Sequence, residues 1–92
     1  MKVFIISYDL RKAGQNYTSL YDGIKSLSND WQHPMESFWG VRVPDHINAQ
    51  YIYEHLKPTL DENDSLMIVQ IYETTDRQGW MPKTFWTWLN SN

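Results

Sequence analysis

Two segments of this chain place apolar side chains on both sides of a strand, and that feature limits the folds available to it. Lys2–Tyr8 reads KVFIISY and Ser65–Tyr72 reads SLMIVQIY, so in each segment both sets of alternate residues are largely apolar. A strand with one face in water would alternate apolar and polar residues instead. We therefore predict that both segments are central strands of a sheet that is covered on each face.

The residues that follow the first strand predict a helix and then a strand region. The helix has Asn16 as its cap and carries one apolar stripe, formed by Tyr17, Leu20, Tyr21, Ile24 and Leu27. Trp31–Val43 is rich in aromatic and β-branched residues, which predicts either two strands or one long bent strand. Pro34 is tolerated only at a sheet edge or a bulge, so the first half of this region is expected at the sheet margin.

A second helix, capped by Asp45 or Asn48 and limited by Pro58, is expected before the last strand, and a short helix follows Pro82. The order strand, helix, strand pair, helix, strand is the βαββαβ plan. The expected fold is therefore α+β, a ferredoxin-like βαββαβ sandwich with an added short C-terminal helix. It forms a single domain over residues 1–92.

The uncovered face of such a sheet predicts a homodimer. Both crossover helices of a right-handed split βαβ unit lie on one face, so the apolar residues of the other face need separate cover. The C-terminal helix can supply part of it through Phe85, Trp88 and Leu89. We expect a second copy of the chain to supply the rest, because an exposed apolar sheet face is a liability for a monomer.

Charge and composition exclude several classes of protein. The formal net charge is -3, so the surface as a whole does not attract polyanions and any contact with RNA or DNA has to be local. The absence of Cys excludes a disulfide framework and a thiolate metal site, and it fits a reducing compartment. The apolar run Val3–Ile6 is too short for a signal peptide or a membrane span. We therefore expect a cytoplasmic protein without membrane contact.

Asp9 is the carboxylate best placed for chemistry, because it ends the first strand beside Arg11 and Lys12. Mg²⁺ prefers one or two carboxylates together with waters and phosphate oxygens, so one Asp9 from each subunit of a two-fold dimer can supply half of a metal site. Arg11 and Lys12 can hold phosphates nearby. Alternatively, Asp9 accepts hydrogen bonds from the backbone amides of a turn, and the two cations are simply solvated.

Two motifs carry a family resemblance. The strand end Ile5–Leu10 (IISYDL) and the later Met35–Trp39 (MESFW) resemble motifs of the small CRISPR-associated endoribonuclease family, the second core protein of CRISPR adaptation. The first is similar to that family's Tyr-Asp-aliphatic strand end, and the second to its Ser-Val-Phe strand. The virulence-associated protein D toxins are similar ribonuclease relatives, and short bacterial and phage proteins share the ISYDL strand end. Gly79–Asn92 has no counterpart in this comparison.

The resemblance implies that Asp9 matches the family's metal-associated aspartate, with Mg²⁺ or Mn²⁺ as the ion. The surrounding positions would then orient Asp9 (Ser7, Tyr8 and Ser37) or contact phosphates (Arg11 and Lys12). The chain departs from the family in three respects: basic residues after the first helix are few, Trp39 stands where Phe is expected, and the net charge is negative. These departures weaken nuclease function more than they weaken the fold.

The leading hypothesis is a dimeric metal-dependent endonuclease that cleaves phosphodiesters of RNA or DNA with water activated by a metal between two Asp9 carboxylates. The alternative is a non-catalytic dimeric scaffold or regulatory partner of the same fold. A third class, a small-ligand sensor, stays open because fold does not determine function.

Overall fold

One antiparallel sheet of four strands organises the chain. In the computed structural model, which describes residues 1–11 and 17–91, the elements are β1 (Lys2–Asp9), α1 (Tyr17–Lys25), β2 (Trp31–Met35), β3 (Phe38–Val43), α2 (Ala49–Leu56), a 3₁₀ turn (Lys57–Thr59), β4 (Ser65–Ile71) and α3 (Lys83–Leu89). The strand order is β2-β3-β1-β4. This is a ferredoxin-like α+β fold with an added C-terminal helix, as the sequence predicted.

The strand region after α1 forms two strands, one of the two alternatives that the sequence left open. β2 and β3 pair antiparallel across the turn at residues 36–37. Pro34 lies in the edge strand β2, where the register shifts between Gln32 and Met35. Pro34 therefore lies both at a sheet edge and at an irregularity of the strand pairing, where its missing N–H breaks no hydrogen bond of the ladder.

Asn48 caps the second helix. Its Oδ1 accepts a hydrogen bond from the Tyr51 backbone N–H at 2.8 Å. Asp45, the other predicted cap, instead lies 2.7 Å from the Met1 amine. The helix ends at Leu56, and Pro58 falls in the 3₁₀ turn that follows. The predicted cap of the first helix, Asn16, lies outside the described residues. None of the helices in the described ranges has the length and apolar content needed to cross a lipid bilayer.

The first face of the sheet, which we call the two-helix face, packs against α1 and α2. Alternate residues of β1 point to it, and the antiparallel register brings the matching residues of β3 beside them. The result is a continuous buried core: Phe4, Ile6, Tyr8, Leu20, Ile24, Trp39, Val41, Val43, Ile47, Ile52 and Leu56. The amphipathic stripe predicted for α1 therefore packs inward, with Leu20 and Ile24 fully buried.

The second face, which we call the α3 face, carries the other alternate residues of the strands and is covered in part by α3. Phe85 and Leu89 of α3 bury Ile5 of β1, as predicted from the sequence. The Trp88 ring lies over Gly40 of β3, where a Cβ atom would come within 2.7 Å of Trp88 Cζ3. Glycine is therefore required at this position by the close approach of an indole ring to the strand backbone.

The prediction that Ser65–Tyr72 is a central strand was wrong, because β4 lies at the edge of the sheet. Two of its side chains on the α3 face are exposed, Met67 at 67% and Val69 at 48% of full exposure, while Ile71 at its end packs against α3. β4 lies at the edge because it pairs with β1 alone, and Met67 and Val69 stay exposed because the Trp88 ring of α3 packs over β3 instead. We call the part of this face defined by Ser7, Met67 and Val69 the open half of the α3 face.

Replacing Gly40 with Ala tests the contact between α3 and the sheet. The added Cβ overlaps the Trp88 ring, so we expect Gly40→Ala to lower the free energy of unfolding by about 1–3 kcal/mol, measured by urea denaturation. Gly79→Ala is the matched control, because the nearest atom to its Cβ position is 3.6 Å away, an ordinary contact. Equal stability of the two variants would show that α3 does not pack tightly on β3.

Candidate functional site

Asp9 is the last residue of β1, and its side chain is 63% exposed. Its Cα pairs with that of Ser65, the first residue of β4, so the two strand ends lie together at one edge of the fold. Alternation along β1 places Asp9 on the same face as Ser7, whose register partners are Phe38 and Met67. Asp9 and half-buried Ser7 therefore both belong to the α3 face, at the end of its open half.

Arg11 contacts Asp9 directly. Its Nε donates to Asp9 Oδ2 at 3.1 Å, and both side chains are 63% exposed. An ion pair this exposed contributes little to stability, so the Arg11 side chain can leave the carboxylate at small cost. The predicted proximity of Arg11 to Asp9 is thus present in the structure, while Lys12, the other predicted phosphate contact, lies outside the described residues.

The acidic turn at residues 61–64 lies beside the chain that follows Asp9, a contact that was not predicted from the sequence. Asp64 accepts hydrogen bonds from two backbone N–H groups, that of Arg11 at 3.1 Å and that of Asp61 at 2.8 Å. No local sequence signal marks this contact, because it follows from the pairing of Ser65 with Asp9, which brings Asp64 beside the chain after Asp9. The surroundings of Asp9 are therefore more acidic than the sequence neighbours Arg11 and Lys12 suggested.

Tyr8 points to the opposite face of the sheet from Asp9 and is buried. Its hydroxyl donates to the Glu36 carbonyl oxygen at 2.6 Å and accepts from Trp39 Nε1 at 3.0 Å. Burial, together with the side-chain hydrogen bond between Tyr8 and Tyr21, raises the Tyr8 pKa well above its usual value, so the hydroxyl stays protonated. Tyr8 therefore positions the turn between β2 and β3 and does not reach the Asp9 carboxylate.

Ser37 lies in that turn and is exposed. Its carbonyl oxygen accepts from the Tyr8 backbone N–H at 3.1 Å, which fixes the turn beside the end of β1. A pocket of about 340 Å³ opens here, lined by Tyr8, Asp9, Leu10, Tyr17, Glu36 and Ser37. The structure thus brings three of the predicted site residues around one pocket, whereas Ser7 and Arg11 do not line it.

An aromatic cluster behind this pocket was not expected from the sequence. The Glu36 carbonyl oxygen accepts from His33 Nε2 at 3.1 Å as well as from Tyr8, and the Tyr21 hydroxyl lies 3.4 Å from it. The His33 ring stacks on Trp39 with 3.9 Å between ring centroids. The cluster holds the turn between β2 and β3 rigidly against β1, and so it fixes one wall of the Asp9 pocket.

One chain offers few side chains that could serve as ligands of a metal ion at this site. Among residues 1–11 and 17–91, no group of three or more His, Cys, Asp or Glu side chains is arranged to hold a metal. Both oxygens of Asp64 accept backbone hydrogen bonds, which leaves Asp9 with the more available carboxylate. One carboxylate fits only the Mg²⁺ type of site, in which waters and substrate phosphates supply most ligands.

Comparison with known proteins finds a structural neighbour. No protein-family model matches the chain, and no curated protein matches it. A hypothetical protein from Thermus thermophilus, known from its crystal structure, is similar over 88% of this chain and 94% of its own. Its TM-score is 0.63 and its sequence identity is 16%. This likeness supports the fold.

Replacing Tyr8 with Phe tests the role of its hydroxyl. The variant leaves the buried Trp39 Nε1 without its acceptor, so we expect a loss of about 1–3 kcal/mol in unfolding free energy, measured by chemical denaturation. Tyr17→Phe is the control, because the Tyr17 hydroxyl has no hydrogen-bond partner in the part of the chain that the structure describes. A Tyr8→Phe variant as stable as the control would contradict the role assigned to Tyr8.

Proposed function

We propose that two copies of this chain pack through the open half of the α3 face and that their Asp9 carboxylates together hold a divalent cation, Mg²⁺ or Mn²⁺, for cleavage of nucleic acid phosphodiesters. One observation carries the proposal: Asp9 shares a sheet face with exposed Met67 and Val69. A second copy that covers those two side chains would bring its own Asp9 toward the same interface.

The register of β1 and β4 supports this arrangement. Ile5 pairs with Val69 and Ser7 with Met67. The exposed side chains of Val69 and Met67, which we call the apolar strip, therefore lie in a row that leads toward Asp9 at the strand end. Covering the strip removes apolar area from water, which is the main driving force for association.

The charges around Asp9 favour a cation as the intermediary between protein and phosphate. Asp9 and the acidic turn that ends at Asp64 repel a phosphodiester, and Arg11 alone does not reverse that field. Two Asp9 carboxylates across a two-fold axis repel each other as well, and a divalent ion relieves both repulsions. Such an ion would activate a water molecule and polarise the phosphodiester.

The chain's own residues then have distinct roles. Asp9 holds the ion, while Arg11 moves from Asp9 to a phosphate oxygen, since its exposed ion pair costs little to break. Tyr8 stays hydrogen-bonded to Glu36 and keeps the turn that carries Ser37 beside the site. Ser7 lies at the proposed interface, at the preceding position on the same face as Asp9.

A second candidate function uses the same dimer without chemistry, as a scaffold or regulatory partner. The contact between Arg11 Nε and Asp9 Oδ2 favours it, because a carboxylate that already has a cationic partner has less need of a metal. RNA or DNA contact would then be weak and lost with added salt, because the net charge of the chain is negative.

The dimer is tested by placing a charge in the apolar strip. We expect the wild-type protein at about 10 μM to have the light-scattering mass of two chains rather than the 11.0 kDa of one, and Met67→Lys to be a monomer of unchanged circular dichroism. Tyr51→Lys, on an exposed side chain of α2, is the control and should stay a dimer. A wild-type monomer would overturn the proposed assembly.

Cleavage is tested with Asp9→Asn, which keeps the size of the side chain and removes its charge. We expect Mg²⁺- or Mn²⁺-dependent cleavage of labelled single-stranded RNA or DNA by wild-type protein, and its loss in Asp9→Asn without loss of the dimer. Relief of the repulsion between the two carboxylates should leave the melting temperature of this variant equal or higher.

Asp22→Asn, an exposed carboxylate on α1, is the matched control and should cleave like wild type. No cleavage by wild-type protein with either ion would remove the nuclease proposal and leave the scaffold. Cleavage that persists in Asp9→Asn would place the site elsewhere.

A further inference from the structure

A second pocket lies at the end of the sheet opposite to Asp9. It has a volume of about 740 Å³, and its floor includes Val3 of β1, Ile71 of β4 and Leu89 of α3. Val3 and Ile71 are direct register partners, so this part of the floor is a row across the sheet. Val3 and Asp9 are six residues apart on one strand, which separates the pocket from the Asp9 site by about 20 Å.

Arg77 forms one wall of the pocket and has no carboxylate partner among the described residues. Its Nη1 donates to the Tyr72 carbonyl oxygen at 3.0 Å, and its Nη2 donates to Asn90 Oδ1 at 2.9 Å. These two neutral acceptors leave the positive charge unbalanced and use two of the five guanidinium N–H groups. A half-buried arginine with spare donors is well suited to bind an anion.

The loop that carries Arg77 is ordered by its own hydrogen bonds. Thr75 Oγ1 accepts from the Tyr72 backbone N–H at 2.9 Å, and the Thr75 backbone N–H donates to the Tyr72 carbonyl oxygen at 3.0 Å. The Arg77 guanidinium bonds that same carbonyl oxygen and bridges from the end of β4 to the end of α3. The cation is thus held in place before a ligand arrives, which lowers the entropy cost of binding.

The rest of the lining fits an anion attached to a ring. Arg42, which is only 8% exposed, adds a second guanidinium group to the lining. Its charge is balanced by Asp30, whose Oδ2 lies 3.1 Å from Arg42 Nη1. Glu73 is the one carboxylate among the described lining residues. Tyr72, which is 59% exposed, also lines the pocket and carries an aromatic ring.

We propose that this pocket binds a small phosphate ester that carries a flat ring, such as a nucleoside monophosphate, with the phosphate on Arg77 and the ring against Tyr72 and the apolar floor. The guanidinium fork matches phosphate oxygens in pairs, and the pocket has the size of ordinary small-ligand sites. The site is separate from Asp9, so it holds whether or not the chain is a nuclease.

The proposal is tested by titrating the full chain with adenosine 5′-monophosphate and measuring the heat of binding by calorimetry. Two probes divide the ligand: adenosine has the ring without the charge, and ribose 5-phosphate has the charge without the ring. We expect the monophosphate to bind more tightly than either, with an affinity that falls as salt is added. A short oligonucleotide without terminal phosphates is the fourth probe and is expected to bind more weakly than the monophosphate.

Three variants locate the site. Arg77→Gln should weaken binding about tenfold or more, and Arg77→Lys should weaken it less because the charge remains. Tyr72→Leu should weaken the monophosphate but not ribose 5-phosphate, and this variant leaves the Arg77 side chain in place. Lys25→Gln, which removes an exposed cation at the end of α1 and outside both proposed sites, is the control and should bind like wild type.

Several results would overturn the proposal. These are the absence of monophosphate binding, equal binding of adenosine, an equal loss in Lys25→Gln, and tighter Arg77-dependent binding of the oligonucleotide. Melting temperatures of all variants separate loss of the site from loss of the fold, and Tyr72→Leu still tests the site if Arg77→Gln unfolds.

Discussion

Burial of β1 on both faces is the constraint on which the rest of the structure depends. Phe4, Ile6 and Tyr8 are buried under α1 and α2, while Ile5 is buried under α3 on the other side. A strand of this kind has to lie inside a sheet, and it needs helices on both faces. Because β1 is fixed in this way, its last residue, Asp9, emerges at a defined point between the start of β4 and the turn before β3.

A small polar network decides which half of the α3 face is covered. Asp30 accepts from Trp88 Nε1 at 2.6 Å and from Arg42 Nη1 at 3.1 Å, while Arg42 Nη2 donates to the Trp88 carbonyl oxygen at 2.7 Å. Burial alone would raise the Asp30 pKa, but these hydrogen bonds and the charge of Arg42 outweigh it and lower the pKa. The network ties α3 to β3 and to the residue before β2, so β4 stays uncovered.

Elements with a strong local signal could be predicted from the sequence. The apolar stripe of α1 and the proline at the sheet margin are each determined by neighbours in the chain, and the structure confirms them. Of the two caps predicted for the second helix, Asp45 and Asn48, the structure selects Asn48. The position of β4 could not be predicted from its sequence, because an edge strand with exposed apolar side chains and a central strand have the same apolar pattern. At the candidate site, the sequence identified Asp9 and Arg11 as neighbours. It missed Asp64, whose approach depends on the pairing of two strands far apart in the chain.

The two edges of the sheet differ in their capacity to accept another strand. At the β2 edge, Pro34 lacks an N–H and sits where the register is broken, so an added strand would find an interrupted row of partners. β4 runs from Ser65 to Ile71 without a proline and offers an uninterrupted row at the opposite edge. A sheet that can be extended on one side only can join one other copy edge to edge and then has no further edge to offer. Pro34 is therefore a device that disfavours edge-to-edge association at the β2 edge.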